Sequence, residues 1–186
     1  MNRHFCVFLV CLAASLFSCK KQENSHNVKV DSSLHALSLS SRKSFEAYSF
    51  SEMQQSAIVS LLRDSMLWRL ALDSDNISPF LKDQQGDHPG YRPYYLEADI
   101  DRNGEQDFVL ALFNEEDKIF SVYLFRQLDK TYTLPALVFS SQHLQQSGFC
   151  FIRGDLVVGE FYSDNAGVFR WDDREGRLLE IEFEVE

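Results

Sequence analysis

The hydrophobic rhythm of the chain changes several times along its length. Residues 5–17, FCVFLVCLAASLF, are apolar without a period, and residues 20–44 carry seven serines with little apolar periodicity. From Ser51 the spacing becomes helical. Ser51-Glu52-Met53-Gln54 has the form of a capping box, and Met53, Ala57, Ile58, Leu61 and Leu62 recur at helical spacing behind it. Apolar density rises through Met66-Leu67-Trp68 to Leu72, where the sequence DSDN at 73–76 supplies a stop. The pattern predicts one long helix, continuous or broken, over 51–72, and a short second helix over 79–85.

After Pro93 the period drops to two. Strands are expected near 94–100, 107–113, 118–127, 131–139, 149–152, 155–162, 167–172 and 177–185, separated by turn-rich pieces such as RNGEQ, NEED, LDK, RGD and SDNAG. Short connections imply antiparallel pairing. FVLALF and IFSVYLF are apolar on both faces, which suits central strands covered on both sides. In the last strand Leu179, Ile181, Phe183 and Val185 alternate with Glu180, Glu182, Glu184 and Glu186, giving one core face and one wet face. The expected architecture is α+β, an N-terminal helix packed on an antiparallel meander of about six to eight strands. A closed barrel with the helix as a plug is the alternative.

The first apolar run is too short to span a bilayer, follows Arg3 and His4, and ends in Leu16-Phe17-Ser18-Cys19. That ending resembles the lipobox of bacterial lipoproteins. The resemblance implies a signal peptide over 1–18, lipidation of Cys19 with fatty acyl chains such as palmitate, and a cell-envelope address. The absence of Asp after Cys19 favours the outer membrane over the inner, with the head in the periplasm or at the surface. Residues 19–44 then read as a flexible tether, spanning roughly 25–30 Å as a coil, and 45–186 as a single domain. Cys6 and Cys11 leave with the leader and Cys19 carries lipid. Cys150, within GFCFI, is the remaining thiol, and an inert buried one is expected.

Charge narrows the range of partners. From Phe45 onward 26 acidic side chains face 12 basic ones, whereas the tether carries five basic and two acidic residues. An acidic head lacks the basic patch that neutralises phosphates, so nucleic acid is not an expected partner. The complementary partner is a basic envelope protein, with Glu180, Glu182, Glu184 and Glu186 as a candidate docking face. The same ladder equally serves to guard an edge strand against aggregation.

The densest chemistry lies in ADIDRNGEQDF at 98–108. Asp99, Asp101, Asn103 and Asp107 alternate around Gly104, and Glu105 adds a further oxygen. Calcium requires six to eight oxygens and a sharply turned chain. The pattern resembles the calcium loops of FG-GAP, dockerin and thrombospondin type 3 repeats. That resemblance implies calcium as a cofactor held by Asp99, Asp101, Asn103, Glu105 and Asp107. The twelfth position, Leu110, lacks the EF-hand's bidentate Glu, so a hairpin setting is expected instead of helix–loop–helix. A plain hairpin, with Asp and Asn capping turn amides and Asn103-Gly104 supplying positive φ angles, accounts for the same residues. Arg153-Gly154-Asp155 reads as a turn between two strands, and His88 and His143 have no metal-ligand spacing.

The first functional expectation is a lipid-anchored envelope protein with an acidic, non-enzymatic binding domain, supported by calcium. An inhibitor or immunity-type protein capturing a basic partner, such as a lysozyme or toxin, is the second. The third, a hydrolase using Asp99, Asp101 or Asp107, is the one that involves catalysis.

Overall fold

The computed structural model describes residues 34–63 and 67–181. Cys19, the leader and Glu182, Glu184 and Glu186 therefore lie outside the described residues. The fold is α+β, with three layers: helices, a five-stranded antiparallel sheet, and a four-stranded antiparallel sheet. Among the described residues no helix is long and apolar enough to cross a membrane.

The middle layer is organised around β3, Asp107–Asn114, whose eight residues are all buried. Phe108, Leu110 and Leu112 face the helices, while Val109, Ala111 and Phe113 face the second sheet. This is the two-sided cover that FVLALF implies. A strand so placed cannot leave backbone groups to water, so both of its flanks must be paired. β4, Ile119–Phe125, lines one flank in full register from Phe108↔Phe125 to Asn114↔Ile119. Two short strands share the other flank. β2, Tyr95–Ala98, pairs with residues 107–110, and β1, Trp68–Leu70, pairs with 112–114. Between them the Ala111 amide donates to the Tyr94 carbonyl at 3.0 Å, and the Ala71 amide donates to the Ala111 carbonyl at 3.0 Å.

β1 corrects the expectation of one helix reaching Leu72. The capping box forms as read: the Gln54 amide donates to Ser51 Oγ at 3.3 Å and the Ser51 amide to Gln54 Oε1 at 2.8 Å. The helix it starts, however, ends at Leu62. Trp68–Leu70 is extended because the far end of β3 needs a partner. The outer edge of β1 is closed by the short helix α1, Leu39–Phe45. Ser41 Oγ donates to the Trp68 carbonyl at 2.6 Å, and the Leu70 amide donates to Ser44 Oγ at 3.1 Å. Leu37, Ser41, Ser44 and Phe45 are buried, so the packed head includes residues well before Phe45. α2, Glu52–Leu62, lays Ile58, Val59 and Leu62 on the same face of the sheet. Both helices lie outside the sheets; neither plugs a barrel. α3, Leu81–Asp87, is the short second helix.

β5, Gln127–Leu128, and β6, Thr131–Tyr132, form a small hairpin. β7, Ala136–Ser141, then returns to pair with β4. Pro135 separates β6 from β7 where one strand is expected from the pattern. The second sheet is a meander of β8 (Ser147–Ile152), β9 (Asp155–Glu160), β10 (Ala166–Asp172) and β11 (Arg177–Ile181). Its inner face supplies Phe149, Leu156, Val158, Phe169 and Leu178 to the core between the sheets.

The phase of β11 is the reverse of the expected one. Val168↔Ile181 and Arg170↔Leu179 pair on the outer face, while Phe169↔Glu180 and Trp171↔Leu178 pair on the inner. Leu178 is thus the core residue, Leu179 and Ile181 lie partly covered outside, and Glu180 stands exposed at the mouth between the sheets. Cys150 is likewise exposed, on the outer face of β8, correcting the expectation of a buried thiol. Partial cover by its surroundings still pushes its pKa up, which keeps the reactive thiolate scarce.

Replacing Leu110 by Ala removes a fully buried side chain between β3 and the helices. A loss of about 2–5 kcal/mol is expected from urea denaturation, with an unchanged slope.

Candidate functional site, the acidic loop between β2 and β3

The acidic stretch joins β2 to β3, and Ala98↔Asp107 closes its base, so it is a hairpin connection as expected. Its positive φ angles fall on Arg102 (60°) and Gly104 (86°), not on Asn103. Three side chains wind the chain around itself. Gly104 N donates to Asp99 Oδ2 at 3.0 Å, Asn103 N to Asp101 Oδ1 at 3.2 Å, and Glu105 N to Asn103 Oδ1 at 2.7 Å. The winding draws carboxylate oxygens of Asp99, Asp101 and Asp107 within 4.8 Å of one another.

Asp107 is fully buried and acts as the hub. One oxygen accepts from the amides of Ile100 (3.0 Å) and Asp101 (3.3 Å), and the other from the amide of Gln127 (2.8 Å). Burial raises its pKa above the ordinary carboxylate range, and the Asp101 charge adds to the rise; the three amides oppose it. Asp101 is held by Arg126, whose Nε donates at 2.8 Å and whose terminal nitrogen forms a second bond to the same oxygen. The Arg126 guanidinium also lies 4.3 Å from the Trp171 ring centroid, tying the loop to the second sheet.

The β5–β6 hairpin grips the loop from the other side. Asn103 Nδ2 donates to the Gln127 carbonyl at 2.9 Å, the Lys130 amide to Glu105 Oε1 at 3.1 Å, and the Tyr132 hydroxyl to the Gln106 carbonyl at 3.4 Å. Glu105 Oε2 has no hydrogen-bond partner. The structure therefore brings Asp99, Asp101 and Asp107 together, with Asn103 winding the turn and Glu105 braced against Lys130. It adds Arg126, Gln127 and Lys130, which the motif does not contain. Arg126 carried a signal nonetheless, being the charge that ends the apolar run IFSVYLF.

The oxygen-rich donor set suits a hard cation in type. Its charge is already opposed by Arg126, and every Asp carboxylate holds part of the loop. Asp101 is salt-bridged to Arg126 and Asp107 accepts from three amides, while Asp99 is exposed with a single bond from the Gly104 amide.

Of the other sequence candidates, Arg153-Gly154 forms the tight β8–β9 turn with φ values of 55° and 90°. Asp155 is locked to Arg170 by bonds of 2.8 and 2.7 Å, so the tripeptide is not presented. The Arg170 guanidinium holds the Asp155 pKa below its ordinary value. That pair adds stability above the ordinary carboxylate pKa and loses it as pH falls through the lowered one. Asp107 has the opposite sign, since its raised pKa makes its contribution less favourable as pH rises. His88 is exposed at the end of α3, and Glu180 stands at the mouth between the sheets.

Asp107→Ala would strand three amide donors. Since hydrogen bonds to a charged acceptor contribute ~1.5–3 kcal/mol each, a loss of at least ~3 kcal/mol is expected in chemical denaturation. Asp99→Ala, which loses one exposed bond, should cost well under half as much.

No family model, no curated protein and no solved structure matches this chain.

Proposed function

We propose that this chain is a lipid-anchored protein of the bacterial cell envelope whose acidic head binds a partner and does not catalyse a reaction. The observation that carries binding over catalysis is the engagement of the loop acids. Asp101 is paired with Arg126 and Asp107 is held by three backbone amides, so two of the three acids a hydrolase would use are occupied with architecture. The third, Asp99, stands exposed with one bond from the Gly104 amide. The anchoring half of the proposal is supported by Leu16-Phe17-Ser18-Cys19 at the end of a short apolar run. The strong acidity of the head supports a basic partner, because complementary charge speeds encounter and disfavours acidic competitors.

Calcium enters this proposal as a support for the head, with Asp99, Asp101, Asn103, Glu105 and Asp107 supplying oxygens. Arg126 and the ion compete for Asp101, since both satisfy the same carboxylate. The protein's own cation makes calcium dispensable, and its removal makes the ion useful.

Two measurements test these points. Metabolic labelling with an alkyne analogue of palmitate should mark the wild-type protein and not Cys19→Ala; equal labelling of both would refute the anchor. Millimolar calcium should raise the melting temperature of Arg126→Gln by several degrees more than that of the wild type. An equal response, or none in the variant, would remove calcium from the proposal.

A further inference from the structure

The two sheets approach each other along β7 and β11 without a continuous hydrogen-bonded ladder between them. At that seam they leave a cleft of about 360 Å³, within the roughly 300–1,000 Å³ span of small-ligand sites. Its floor is apolar: Phe139 of β7 and Phe169 of β10 stack with centroids 5.0 Å apart and planes 4° from parallel. Gly167 keeps the floor open, because a Cβ there would sit 3.2 Å from the Phe169 ring and 3.4 Å from Glu180 Oε1. Two carboxylates, Glu160 and Glu180, stand over this floor. Glu160 accepts only from the Asn165 side-chain amide, at 3.0 Å, and neither carboxylate has an ion-pair partner among the described residues.

Arg69 holds both Asp75 and Glu115, Arg92 holds Asp73, Arg126 holds Asp101 and Arg170 holds Asp155. Among the described residues the lining of the cleft contains neither lysine nor arginine. The adjoining hollow of about 520 Å³, which shares His143, Glu160 and Asn165 with it, also lacks both and is lined by Gln142, Gln145 and Gln146. An apolar floor below unpaired carboxylates is complementary to a group with an apolar stem and a cationic head. Beside a low-polarity surface the charge attraction is also screened less than in open water. The amide-lined hollow next to it offers donors and acceptors to peptide backbone on either side of such a group.

We propose that this cleft receives a lysine or arginine side chain of a polypeptide partner, with Glu160 and Glu180 flanking the cationic head and Phe139 and Phe169 supporting its stem. The inference rests on the reading of the head as a binder of basic partners and gives that reading a location. It also assigns Glu180 a role within the seam, in place of a role on an outward-facing glutamate ladder.

The test uses the full chain in mild detergent and a tri-arginine peptide with blocked ends, with tri-glutamine as control. Amide spectra of the ¹⁵N-labelled protein follow binding through the Gly167 and Asn165 signals. Tri-arginine should shift these signals, with an affinity that falls as salt is added, and Glu160→Gln/Glu180→Gln should weaken it by roughly tenfold or more. Both positions lack ion pairs, so the double variant should keep the wild-type melting temperature; a single Glu180→Gln serves if it does not. Undiminished binding by the variants, or shifts confined to another face, would overturn the cleft while leaving basic capture intact. Equal binding of tri-glutamine would overturn the charge argument. No binding at millimolar peptide and low salt would overturn both the cleft and the reading beneath it.

Discussion

A strand covered on both faces has no recourse to water, and that constraint organises this protein. Every amide and carbonyl of β3 needs a partner within the fold. β4 answers along one flank, and the other is assembled from two fragments that arrive from different parts of the chain, β1 and β2. The requirement then passes outward. β1, recruited to complete β3, acquires an edge of its own, and that edge is closed by two serine hydroxyls of α1. The helical layer is in this sense a consequence of the pairing needs of the sheet, as well as cover for Phe108, Leu110 and Leu112.

The acidic loop follows the same logic in charged form. A buried carboxylate is costly unless its hydrogen bonds are made, and Asp107 makes them to three amides on two segments. Arg126 reaches from the end of β4 to Asp101 and lies against Trp171, so one guanidinium joins loop, first sheet and second sheet. Acids placed in this way fix the geometry of a corner. Glu160 and Glu180, at the seam between the sheets, have no ion pair among the described residues, and there the molecule has something to offer a partner.

The legibility of these features in the sequence follows how local their causes are. The double cover of β3 was readable because FVLALF states it residue by residue, and the α2 start was readable because Ser51 and Gln54 satisfy each other within one turn. Trp68–Leu70 was not. MLWRLAL is an apolar run of the length at which helix and strand cannot be told apart, and the deciding partner is Leu112–Asn114, far along the chain. The phase of β11 failed because Leu178 and Leu179 are adjacent and permit either register; the inner face is chosen by Trp171 and Phe169 on the neighbouring strand. Ser41 and Ser44 looked like tether because a hydroxyl that closes a strand edge has no pattern until the strand exists. The convergence of Asp99, Asp101 and Asp107 was local and visible. The arginine that pairs with Asp101 lies 25 residues away, and the sequence shows it as the charge that ends IFSVYLF without showing the acid it meets.

The two-fragment flank of β3 also has a kinetic consequence. The second sheet is built from consecutive hairpins, so its strands meet by closing short loops. The pairing of β1 with β3 closes a long one, and closure entropy places such contacts late on a folding route. α1 docks on this late-pairing strand, so its serine bonds wait on the same closure. By the same ordering this corner is the first to open on partial unfolding. Opening there would expose the Leu70 and Phe108 side of the core while the hairpin-built sheet, and the seam that it forms with β7, stayed closed.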